Sequence, residues 1–287
     1  MSVRRIALVS KDSAITSSEL MDVAAALQKQ VADDFGPIWN IQATVSAFDK
    51  LQNVPLGYWP IIIQDKINQK GAGGFHTDKK GQPYALVLYS KDTPTWTVAA
   101  SHELLEMLAD PTGRQIYAGP SLYPGQGQVE YVMEVCDPCE SMECAYMVNG
   151  IMVSDFFTPD FKNAASLAAG QYDFRGKLTR PLEVVEGGYI SWLDPLSQSI
   201  WQQFVYHGKT YYKQNGQLVA SGPGADTSNV LDELHGRSLR EYVDSITESP
   251  LLEQLQNPDP KHVKALHAER ELIVAARKAN AVHLSIN

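Results

Sequence analysis

The chain has 287 residues, 44% apolar and 20% charged, the composition of a globular protein that can bury a sizeable core without disulfide staples. Its 24 Lys and Arg stand against 33 Asp and Glu, a formal net charge of −9. That balance argues against a general nucleic-acid binder, which needs cations to displace counterions, and against a polybasic membrane-surface protein.

No segment approaches the roughly 18 uninterrupted apolar residues of a transmembrane helix. Residues 3–10 read as a first strand, because Lys11 and Asp12 end the apolar run before a signal-peptide core could form. The chain is therefore expected to lack a signal peptide. Thr16-Ser-Ser-Glu19 is a capping box, and the helix it opens has apolar positions at Leu20, Val23, Ala24, Leu27 and Val31. That helix is expected to stop before Gly36-Pro37. Residues 39–48 and 60–64 read as strands, 71–76 as a glycine-rich loop ending in His76, and 84–89 as a further strand. Residues 94–109 carry the clearest helical pattern, with Pro94 suited to the first turn and Asp110-Pro111 as the stop. The order strand, helix, three strands, helix predicts an α/β layer with its key helix packed under a sheet.

Residues 112–128, rich in Gly, Pro and Tyr, are expected to be a loop, and 129–136 a strand. Residues 145–154 predict a hairpin with a type I′ turn at Asn149-Gly150. More hairpins are expected over 188–220, a linker over 221–228, and a helical tail over 226–287. This divides the chain into residues 1–155, a β-rich extension over 156–225, and the tail.

The chemistry concentrates on the strong helix. His102 and Glu106 are four residues apart, so they share a face and can chelate one divalent metal. Glu103 occupies the position at which an H-E-x-x-H metallohydrolase keeps its general base. The alternative is a solvated helix face with a satisfied histidine. Leu104, Leu105, Met107 and Leu108 argue against it, since they leave little of the helix to solvent, and buried carboxylates are costly unless paired or coordinated. A third ligand is open between Glu134, Asp137 and Asp110. His76 is read either as a substrate-contacting or carbonyl-polarising residue, or as an exposed loop histidine. Ser101 is discounted as a nucleophile because adjacent helix residues do not face each other.

The three cysteines, Cys136, Cys139 and Cys144, are an odd count in one short segment and not a secreted disulfide framework. Reduced, inert thiols in a cytoplasmic protein are expected. A separate cysteine zinc site lacks a clear fourth ligand.

The run Ser101-His-Glu-Leu-Leu-Glu-Met-Leu-Ala-Asp-Pro111, followed by Glu134-Val-Cys-Asp-Pro-Cys139, resembles zincin-like proteins with S-H-E-x-x-E, then Asp/Asn-Pro, then E-x-x-D-x-C. The pattern occurs in uncharacterised bacterial proteins and in the plant phosphate-induced (EXORDIUM-like) family. The resemblance covers roughly residues 1–155 and implies a zincin-like mixed sheet packed on the helix that bears His102.

The function expected from these residues is a cytoplasmic metal-dependent hydrolase acting on a peptide or small amide. In that reading His102, Glu106 and Glu134 or Asp137 hold zinc, and Glu103 activates water. Two other readings stand beside it. One is a binding module with a structural metal or none. The other is a non-haem iron enzyme, because one histidine among carboxylates also suits Fe or Mn.

Overall fold

The chain opens on β1 (Arg4–Ser10), whose Ile6, Ala7, Leu8 and Val9 are all buried. A continuous apolar run of this kind marks a strand covered on both faces. A computed structural model describes residues 3–69, 72–89, 95–163, 170–215 and 217–218. In it β1 lies within a five-stranded sheet with β2 (Ala43–Phe48), β3 (Tyr58–Gln64), β4 (Gly74–Lys79) and β5 (Gln82–Leu88). The order is β2-β1-β3-β5-β4. The first four strands in that order run parallel, and β4 pairs antiparallel with β5 at the edge. Leu8 pairs with Ile61, and Ile61 with Ala85, so one apolar row crosses three strands.

Two helical segments cover the sheet. α1 (Ser17–Lys29) starts where the Thr16 hydroxyl accepts the Glu19 N–H, and it buries Leu20, Val23, Ala24 and Leu27. The expected stop before Gly36-Pro37 is not observed. The chain passes through a π-helical stretch, Gln30–Phe35, into a last turn, α2 (Gly36–Trp39). Pro37 lies in the first turn of α2, where its missing N–H costs nothing. Asn40 then ends the run in a left-handed conformation, φ 53°. α3 (Thr95–Ala109) is buried along its whole length. It packs on β3, β4 and β5, and also on β9 (Ile151–Val153).

The hairpin of β8 (Tyr146–Val148) and β9 turns at Asn149 and Gly150, with φ 52° and 79°, as the Asn-Gly pair predicts. A second, antiparallel sheet has six strands: β6 (Ile116–Pro120), β7 (Gln128–Val132), β10 (Tyr189–Asp194), β11 (Ser199–Tyr206), β12 (Lys209–Gln214) and β13 (Gln217–Leu218). β6 lies in the stretch expected to be a loop. It is an edge strand, where Gly119 and Pro120 are tolerated, and pairing with β7 holds it. β7 stops at Val132, short of the expected Cys136. Because Tyr131 of β7 pairs with Trp192 of β10, this sheet draws strands from both sides of residue 155. The architecture is thus mixed, of the α+β kind.

The linker at 221–228 and the helical tail at 226–287 lie outside the described residues. Among the described residues no helix is long and apolar enough to cross a membrane.

Candidate metal centre

The helical spacing places His102 Nε2 3.2 Å from Glu106 Oε2. The rest of the site comes from the segment after β7. There Asp137-Pro138 opens a single 3-10 turn, Asp137–Cys139, and that turn brings Asp137 Oδ1 to 3.2 Å from the same histidine nitrogen. Cys136 fastens this segment to α3. Its N–H donates to Glu106 Oε1 at 3.1 Å, and its thiol donates to the His102 carbonyl at 3.8 Å. Glu134 also reaches the cluster, with a carboxylate oxygen within 4.8 Å of those of Glu106 and Asp137.

From the other side β4 delivers His76. Its Nδ1 lies 3.4 Å from Glu103 Oε2 and 3.9 Å from Glu106 Oε2, while its Nε2 lies 3.0 Å from the Asp110 carbonyl. His76 is therefore neither a loop residue nor an exposed one. It is a strand residue with 0% exposure and one ring nitrogen committed to a backbone carbonyl. Gly74, two residues earlier on the same face of β4, makes room for this side of the site. A Cβ there would stand 2.8 Å from Glu103 Cγ.

Among the described residues, three groupings of donor atoms could hold an ion: His102 with Glu106 and Cys136, His76 with Glu103 and Glu106, and Glu106 with Glu134 and Asp137. Glu106 belongs to all three. Asp110 does not join them; its carboxylate accepts the N–H groups of Thr112 and Gln115 at 3.3 and 2.6 Å and so shapes the turn after α3. Cys139 and Cys144 are free, buried thiols whose ionisation burial pushes up, Cys144 to about 12, as inert thiols should be. Cys136 differs from them in standing beside metal-ligand types. Its position between Glu134 and Asp137 was visible in the sequence, but its contact with α3 was not.

The donor set fits a divalent cation. A tetrahedral metal with bonds of ~2.0 Å holds its ligand atoms about 3.3 Å apart, close to the two 3.2 Å separations at His102. The electrostatics point the same way. Burial would lower the His102 pKa, but Glu106, Cys136 and Asp137 together raise it well above the usual value. Burial, and then Glu106, push the Asp137 carboxyl up. Burial does the same to the Cys136 thiol. Left to itself, then, the cluster must retain protons to offset its acids, and a bound cation supplies that charge instead. Asp137 Oδ1 and His102 Nδ1 are buried without a hydrogen-bond partner.

No protein-family model, curated protein or solved structure matches the chain, so the functional reading rests on the residues themselves.

Proposed function

We propose that the protein is a metal-dependent hydrolase of zincin-like type, a zinc peptidase or amidase acting on a peptide or small amide. The observation that carries this reading is the triad at α3: His102 Nε2 stands 3.2 Å from both Glu106 Oε2 and Asp137 Oδ1, and all three residues are buried. His102, Glu106 and Asp137 hold the metal, with Glu134 next to them. The packing of α3 under the first sheet supports the zincin-like resemblance. A metal held there supplies a Lewis acid for the scissile carbonyl and lowers the pKa of attacking water. Glu103, one residue beyond His102, takes the proton from that water and passes it to the leaving amine. Gly74 leaves the space in which the Glu103 side chain lies.

A second reading has its own observation. His102, Glu106, Asp137 and Glu134 are 0–5% exposed, as the ligands of a closed structural site would be. The two readings part on turnover. Elemental analysis of the wild type beside His102→Ala is expected to show one zinc per chain that the variant loses. Glu103→Gln should then keep the zinc and lose hydrolysis of a peptide and amide panel. Stoichiometric zinc with no turnover in the wild type would favour the structural reading. Iron or manganese in place of zinc would favour a non-haem redox enzyme.

A further inference from the structure

The roles assigned so far do not account for His76. It is enclosed completely, and its two ring nitrogens face opposite demands. A backbone carbonyl can only accept, so Nε2, 3.0 Å from the Asp110 carbonyl, carries a proton. In the neutral ring Nδ1 is then a bare lone pair. It points at Glu103 Oε2, 3.4 Å away, and Glu106 Oε2, 3.9 Å away, and it has no hydrogen-bond partner. Ionised carboxylates offer only acceptors. Acceptors that face one another at this depth repel, unless a cation or a second ring proton lies between them.

Two arrangements satisfy the geometry. In one, a proton lies between His76 Nδ1 and Glu103 Oε2. In the other, Nδ1 is a metal ligand, and the Asp110 carbonyl is the outer partner that sets the tautomer of a ligating histidine. Two observations favour the second. The donor atoms of His76, Glu103 and Glu106 lie within 4.8 Å of one another. Glu106 Oε2 is also the oxygen that His102 Nε2 faces at 3.2 Å, so His76 and His102 converge on one carboxylate oxygen.

We propose that His76 ligates the metal through Nδ1, so that the centre uses two imidazole nitrogens, from β4 and from α3, around Glu106. This rests on the metal-centre part of the reading above and not on the hydrolytic part. It also joins the first sheet to α3 through the metal, a link that the S-H-E-x-x-E segment alone does not provide.

The test uses the full-length protein loaded with one equivalent of Cu(II) and pulsed electron paramagnetic resonance, which counts coordinated imidazoles. Two are expected in the wild type, and one each in His76→Gln and His102→Gln. Gln is chosen because its side-chain amide can still donate to the Asp110 carbonyl while it removes the Nδ1 donor. Zinc titration of His76→Gln should show at least a tenfold weaker Kd. One imidazole in the wild type, lost only in His102→Gln, would overturn the proposal and leave a proton between His76 and Glu103. Should His76→Gln fail to fold, the His102→Gln protein decides: a remaining imidazole supports the proposal, and none overturns it. Failure to bind either metal overturns it as well. Two imidazoles without amide turnover would leave it standing and remove only the hydrolase.

Discussion

Asp155 and Asp173 are as deeply buried as Glu106 and Asp137, yet the fold treats the two pairs differently. The first pair is served by the backbone. Asp155 Oδ1 accepts the N–H groups of Phe156 and Arg175 at 2.8 and 3.2 Å, and the Asp173 oxygens accept those of Lys177 and Leu178 at 2.8 Å. Burial, with Asp173 beside it adding to the effect, pushes the Asp155 carboxyl up to about 9. The second pair meets other side chains instead. Glu106 takes the Cys136 N–H on one oxygen and turns the other toward two imidazoles. Asp137 Oδ1 faces His102 without hydrogen-bond geometry. In the first pair, backbone N–H groups serve three of the four carboxylate oxygens. A larger group of acids around two histidines is one that a cation could balance.

The largest expected break in this comparison is removal of the proposed metal. Chelation should lower the Tm of the wild type, in line with about 4 kcal/mol at a thousandfold excess of metal over Kd. Calorimetry should find the same shift in Asp155→Asn, since Asp155 belongs to none of the ion-holding groupings. A chelator shift that vanished in Asp155→Asn would mean that the two acid pairs are coupled.

Next comes Glu106→Gln. Because Glu106 belongs to every ion-holding grouping, its loss should weaken zinc binding by at least about 100-fold, beyond the effect of most outer partners. An unchanged Kd by titration calorimetry would remove Glu106 from the centre of the site.

Gly74→Ala should have a smaller effect. The added Cβ would sit 2.8 Å from Glu103 Cγ and 2.9 Å from Oε1, and overpacking of this kind costs roughly 1–3 kcal/mol. Zinc content should persist while kcat falls, because the displaced group is the proposed proton acceptor. Full activity in this variant would show that the Glu103 position is not critical.

Asp155→Asn, which mimics the protonated acid, sharpens the comparison through pH. In the fold Asp155 keeps its proton up to about 9, whereas its ordinary value is 3.8. Between those values the unfolded chain releases the proton and the folded chain does not, so this group's stabilisation is lost as pH rises across the window. The variant should gain on the wild type by up to about 1.4 kcal/mol per pH unit between pH 5 and pH 9. Parallel denaturation curves at both pH values would refute the raised Asp155 carboxyl.

Much of the fold was legible along the chain wherever the signal was local. The helical period placed α3, the apolar runs placed β1, β3 and β5, and Asn149-Gly150 set the hairpin. The errors came where pairing partners are distant. β6 looked like a loop because only β7 makes it a strand, and the expected stop at Gly36-Pro37 gave way to a widened helical turn. The site divides along the same line. His102 and Glu106 were readable as one helical face, but Glu134, Asp137 and Asp110 were equivalent candidates until the turn after β7 carried Asp137 to His102 and the Thr112 and Gln115 N–H groups claimed Asp110.

The sequence by itself determined which residues could share a helix face or form a tight turn, because those relations span a few residues and follow from backbone periodicity. Only the tertiary structure decided which carboxylates meet a histidine, which meet backbone N–H groups, and that His76 of β4 faces Glu106 of α3. A carboxylate's role is set by the donors within about 4 Å of it in space, and chain spacing does not record them.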